Sequence, residues 1–169
     1  MLAAVRKLRL GLPVAALAGV VTAASAGPAV AAKLVTSDTV SFKGTVNSAG
    51  QYSSSTCSLK SDTETTAVPC QTAGSALGIG SPAIEVSGFW VSSDGEGRFG
   101  AFPIPRVASK PPVETYQGTG PCEEREESDL PGTKGPVQYP CQVTVRLAIN
   151  TVKHTVVGKY TVREESTLP

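Results

Sequence analysis

Apolar and polar residues alternate with a period of two along much of this chain, and that alternation is clearest from Cys141 to Ile149. There Cys141, Val143, Val145, Leu147 and Ile149 share one side and Gln142, Thr144, Arg146 and Ala148 the other, the pattern of a half-buried strand. After the turn-like Asn150-Thr151, His154 to Val162 sets Val156, Tyr160 and Val162 against Thr155, Lys159 and Thr161, with Gly158 marking a bulge or a close approach. The two segments are expected to pair as a hairpin. Upstream, Val40, Phe42 and Val46 alternate with Ser41, Lys43 and Thr45, and Asn47-Ser48-Ala49-Gly50 supplies a turn. A second hairpin spans Ile84 to Phe102: Ile84, Val86, Gly88 and Trp90 share a parity, and Asp94-Gly95 lies at the reversal.

No helical period persists for more than a turn, and no repeat at solenoid or propeller spacing occurs. The expected fold is therefore all-β, an antiparallel immunoglobulin-like sandwich of about seven strands. Pro103, Pro105, Pro111 and Pro112 mark Pro103 to Pro112 as a crossing between sheets, Gly74 to Gly80 reads as a flexible connection, and Gly118 to Pro136 as an acidic loop held between cysteines. Phe89, Trp90, Phe99 and Phe102 concentrate aromatic rings in the second hairpin. Adjacent strand residues face opposite sides, so Trp90, the only tryptophan, is assigned to the core and Phe89 to the outside.

Composition agrees and adds a compartment. The chain has 169 residues, room for one domain, and its 17 glycines and 13 prolines disfavour a helix bundle. Met1 to Ala32 begins with Arg6, Lys7 and Arg9, continues through an apolar stretch from Leu10 to Val21, and ends in small residues. This is the layout of a secretory signal peptide, and Gly11, Pro13 and Gly19 interrupt the run that a membrane span would need. Cleavage after Ala26, Ala31 or Ala32 fits, and Ala32 is preferred because Lys33 opens the first polar stretch. The expected product is a secreted, extracellular domain of residues 33–169. The first cysteine, Cys57, is too far on to carry a lipid, and Ser166 to Pro169 offers no sorting motif, so neither a membrane anchor nor stable membrane association is expected.

Loss of that leader takes three cations and no anion from the 15 basic and 14 acidic residues, leaving a formal charge of −2. The remaining Lys and Arg are scattered along the sequence, which argues against nucleic acid as a partner. An oxidising compartment and four cysteines imply two disulfides. Three connectivities are possible; Cys57–Cys70 with Cys122–Cys141 closes the shortest loops, at roughly 3 kcal/mol each in the chain-entropy model. Zinc is disfavoured, since no CxxC occurs and His154 is the only histidine.

Candidate chemistry is sparse. There is no GxSxG and a single histidine, which leaves a serine triad without its parts. Glu123-Glu124-Arg125-Glu126-Glu127-Ser128-Asp129 lacks the alternating spacing of a calcium loop, and Gly78-Ile79-Gly80 lacks the glycine and lysine of a phosphate cradle. The expectation is a non-enzymatic binding protein with no cofactor and no metal.

The order of features carries a resemblance: strand Val40–Val46, the loop Cys57 to Cys70, the hairpin Ile84 to Phe102 with its Asp94-Gly95-Glu96-Gly97 turn, a second cysteine loop ending in Cys141-Gln142-Val143, and a last strand. In this layout the chain resembles the secreted neocarzinostatin-type apoproteins of high-GC Gram-positive bacteria. The resemblance implies an immunoglobulin-like sandwich with two local disulfides and a cleft for a small hydrophobic molecule, lined here by Phe89, Phe99 and Phe102. Two other readings stand beside it: a protease-inhibitor-like protein presenting Gly120-Pro121-Cys122-Glu123-Glu124 as a braced loop, and a module that contacts another secreted or cell-envelope component.

Overall fold

Period-two alternation needs a covered face for its apolar side, and here every strand finds that cover in the same place. The computed structural model describes residues 33–93, 95–126 and 137–167. The expected leader, Asp94, and Glu127, Ser128 and Asp129 of the acidic stretch lie outside the described residues. Eight strands follow one another: β1 (Lys33–Val46), β2 (Gln51–Ser61), β3 (Val68–Leu77), β4 (Ala83–Ser92), β5 (Gly95–Lys110), β6 (Val113–Glu126), β7 (Val137–Asn150) and β8 (Thr155–Thr167). Each pairs antiparallel with its sequence neighbour, and β8 returns to β1, so the sheet closes into an up-and-down barrel.

The all-β antiparallel class and both expected disulfides are present, but the architecture is a closed eight-stranded barrel and not a sandwich of about seven strands. Alternation reports that one face of a strand is buried; it does not report which sheet the strand joins. Closure rests on β1 and β8, whose pairing runs from Lys33↔Thr167 to Thr45↔Thr155 without a register shift. Pro103 to Pro112 is likewise no crossing, because β5 continues through Pro103 and Pro105 to Lys110. Proline cannot donate to a ladder, and the β5–β6 register breaks between Arg98 and Arg106, around those two residues. Gly74 belongs to β3 and only Gly78 and Gly80 to the turn after it, both at positive φ, where glycine is at ease.

The barrel is full. Val40, Val86, Ile104, Tyr116, Val143, Val145, Leu147 and Tyr160 have no accessible surface, which a water-sized void beside them would have given. Eight strands enclose a space that side chains can just fill, and here rings fill it by lying over glycines on neighbouring strands. Trp90 stands opposite Gly97, Phe42 opposite Gly158, Phe99 opposite Gly88 and Tyr52 opposite Gly74. A Cβ at any of these four glycines would overlap the facing ring or a neighbouring ring. Gly158 is thus a close approach and not a bulge, since both of its pairings run unshifted. Phe42, Trp90 and Phe99 gather around Tyr160 with ring centroids 4.9, 6.1 and 5.1 Å away.

Two hydroxyls inside this apolar packing satisfy each other. Tyr52 Oη and Tyr160 Oη are 2.7 Å apart, and Tyr52 also donates to the carbonyl of Ser87 at 3.0 Å. Burial pushes both phenols well above their ordinary range, as tyrosinate has no water there. At one end Tyr116 Oη accepts from the Gly80 amide at 2.8 Å, and Arg106 donates to Glu114 at 3.1 Å, fastening the β3–β4 turn and the β5–β6 end. Each disulfide staples two adjacent strands, Cys57–Cys70 joining β2 to β3 and Cys122–Cys141 joining β6 to β7, with Cα separations of 5.0 and 4.9 Å.

Candidate functional site

With the described interior occupied, the exposed apolar side chains beside a groove are on the wall. Along β4 the inward parity takes Ile84, Val86, Gly88 and Trp90, so Glu85, Ser87, Phe89 and Val91 point outward. Trp90 is 2% exposed, while Phe89 and Val91 are 46% and 42% exposed, side by side on one strand. The hairpin to β5 places Arg98 beside Phe89 and Glu96 beside Val91, and β6 then places Glu123 beside Arg98. Phe89, Arg98 and Glu123 therefore form one row across three strands.

These side chains border a groove of about 280 Å3 lined by Phe89, Trp90, Val91, Glu96, Gly97, Arg98 and Glu123. Trp90 and Gly97 form its floor, the indole packed on the inner side of Gly97 and only 2% exposed. Arg98 donates from Nε and Nη2 to Glu123 Oε2 at 3.1 and 2.8 Å. Both partners are more than half exposed, so the pair is worth at most about 1 kcal/mol. What it does is hold the guanidinium at the edge of the apolar surface with further N–H donors unspent. The groove can thus take a small apolar or aromatic body against Phe89 and Val91 and an oxygen-bearing substituent at Arg98.

The three phenylalanines expected to line one cleft are not brought together. Phe99 and Phe102 are 4% and 9% exposed inside the barrel, with ring centroids 5.7 Å apart, whereas Phe89 is on the outer wall. The β4–β5 register shifts between Val86 and Gly88, and opposite that shift β5 carries both Phe99 and Phe102 inward despite their different parity. Trp90 inside and Phe89 outside is the arrangement that adjacency on a strand demands.

Gly120 to Glu124 is no protruding loop. It lies within β6 and is paired residue for residue with β7, Cys122 directly opposite Cys141. Of the acidic stretch, Glu123 is the groove residue just described. His154 is not a strand residue but an exposed turn residue at φ 51°, whose carbonyl accepts from the Val46 amide at 3.0 Å.

Val91, Glu96 and Arg98 were not singled out from the sequence. The signal that finds them is the turn: once Ser92 pairs with Gly95, counting back by twos from Phe89 and Val91 gives Arg98 and Glu96. No protein-family model, curated protein or solved structure matches the chain.

Proposed function

We propose that this is an exported, non-enzymatic binding module that holds a small apolar molecule on the outer wall of its barrel. The molecule lies against Phe89 and Val91, with a polar substituent at Arg98. One observation carries the reading: the described interior is filled by the protein's own side chains, while the wall exposes an aromatic and an aliphatic side chain together beside a groove. At about 280 Å3 the groove suits a ligand at the small end of the usual range, on the order of 300 Å3. The small hydrophobic ligand implied by the resemblance to neocarzinostatin-type apoproteins is retained, and its place moves from a cleft lined by Phe89, Phe99 and Phe102 together to the wall at Phe89.

Export is supported by the leader-like Met1 to Ala32 and by cysteines that are all paired. The outer wall is itself polar, with Gln142, Thr144 and Arg146 on β7 and Thr155, Lys159 and Thr161 on β8. A membrane barrel has the reverse arrangement, apolar outside and polar within.

The test is extraction of the native protein from its own culture medium, followed by mass spectrometry, alongside Phe89→Ala. A molecule that accompanies the wild type and is lost from the variant supports the reading. An empty extract, together with Trp90 fluorescence that ignores neutral apolar probes, refutes it.

A further inference from the structure

Cations that are scattered along the sequence converge when β1, β7 and β8 are laid side by side. Arg146 on β7 stands directly opposite Lys159 on β8, and Lys159 stands opposite Ser41, one diagonal step from Lys43 on β1. Directly opposed side chains are about 5 Å apart and diagonal ones about 7–8 Å, so these three charges form one compact group. Arg163 lies four residues beyond Lys159 on β8, and Lys60 of β2 is paired with Thr39 of β1. All five are exposed. From Ser37 to Thr45, Gln142 to Ala148 and Thr155 to Arg163, the outward positions contain no Asp or Glu. None of the five makes an ion pair among the described residues.

Like charges set directly opposite one another on a sheet are destabilising, and no outward Asp or Glu on those three stretches offsets Arg146 against Lys159; Asp62, whose Oδ2 accepts from the Ser37 amide at 3.0 Å, lies at the Lys60 and Arg163 edge of the face. The opposite wall is built differently, since its one outward cation in the groove, Arg98, is held by Glu123. In the order of strands around the barrel, β8 and β1 lie across from β4 and β5, so the cationic face and the groove are separate surfaces.

We propose that the face formed by Lys43, Arg146 and Lys159, flanked by Arg163 and Lys60, binds a linear anionic glycan or polyol polymer. Its phosphodiester or carboxylate groups would repeat at a spacing the cations can follow. Charge complementarity supplies the attraction. The side chains between the cations, Ser41, Thr39, Thr144 and Thr161 among them, are hydroxyls suited to sugar or polyol oxygens. Nucleic acid fits less well, because those outward positions carry no aromatic ring for a base to stack on. An anionic bilayer fits less well because Val157 is their one large apolar side chain, too little to insert. The inference uses the exported reading only to say where such a polymer would be met.

The experiment measures binding of the mature chain to polyglycerol phosphate and to alginate, which separate phosphodiester from carboxylate recognition, with duplex DNA and phosphatidylserine vesicles in parallel. The variants are Lys43→Gln/Arg146→Gln/Lys159→Gln and, as a surface control, Lys110→Gln. The expected result is binding to at least one of the two polymers that weakens with salt. In the triple variant affinity should fall at least tenfold, and the slope of log K against log salt should drop by about 2, at roughly 0.7 per cation removed. The control should bind as the wild type, and thermal unfolding of the triple variant should be unchanged or raised, because opposed charges are relieved. Binding to neither polymer at low salt, equal binding by the triple variant, or DNA or vesicles held as tightly as the better polymer would each overturn the proposal.

Discussion

Gly158→Ala is the smallest change that asks whether the barrel interior has space to give. The added Cβ would fall within the ring of Phe42, directly across the β1–β8 ladder. Phe42 is 3% exposed and cannot swing away, since Tyr52 stacks on it at 5.8 Å and Tyr160 tilts against it at 4.9 Å. The backbone cannot yield easily either, because Gly158 is paired on both sides, with Phe42 and Leu147, in ladders without register shifts. Overpacking of this kind costs about 1–3 kcal/mol, and the alanine recovers about 0.4–1 kcal/mol through the unfolded chain. The net expectation is a loss of roughly 1–2 kcal/mol. Gly100 is the control: it is exposed on β5 with nothing near its missing Cβ, so Gly100→Ala should be neutral or stabilising by up to about 1 kcal/mol. Urea unfolding with disulfides intact, followed by Trp90 fluorescence, reads both as shifts in midpoint at constant slope. Phe42→Leu should relieve Gly158→Ala in a double-mutant cycle, with a coupling of at least about 0.5 kcal/mol. If Gly158→Ala matches Gly100→Ala, or the cycle shows no coupling, the ring-on-glycine packing is wrong.

Tyr52 and Tyr160 are held neutral by burial, so below the unfolded tyrosine value near 10 they contribute their full stability. As pH rises above that value the unfolded chain ionises first and stability falls. Tyr52→Phe/Tyr160→Phe should flatten that alkaline decline, and an unchanged pH profile of the unfolding midpoint would contradict it. Phe89→Ala should alter stability by less than about 0.5 kcal/mol, because the side chain is on the surface; a larger fall in thermal midpoint would mean that Phe89 is packed. The folded chain should present no thiol to a colorimetric reagent before reduction, and losing either disulfide should lower stability by about 3 kcal/mol, a value read from urea unfolding of Cys57→Ser/Cys70→Ser and Cys122→Ser/Cys141→Ser. Reactive thiols in the native protein would contradict the pairing.

Much of the wall could be read from the chain because strand parity is local. β1, β4, β7 and β8 announce their inward residues by alternation, and the separation of Trp90 from Phe89 needs nothing beyond their adjacency. Closure was hidden for a physical reason. β2 and β3 place small or polar residues such as Ser61, Thr72, Gly74 and Ala76 toward the interior, so their alternation is faint. Without those two strands the count falls short and a sandwich suffices. The prolines of β5 read as a crossing because proline usually breaks a ladder; here the ladder to β6 is broken locally while the strand goes on. The groove is half legible: Phe89 shows itself by adjacency to Trp90, whereas Phe99 and Phe102 enter the expected cleft only through the resemblance, and the bulge that turns both inward is not displayed by a residue pattern.

Under the proposed function a small apolar molecule is held on the outer wall, since the described interior is occupied by side chains. An amide and methyl NMR titration of residues 33–169 with the neutral probe N-phenyl-1-naphthylamine tests this. Shifts should be confined to Phe89, Val91, Glu96, Arg98 and Glu123 with the Trp90 indole behind them. Shifts centred on the methyls of Val145, Leu147 and Val86 would place the probe within the barrel and contradict it.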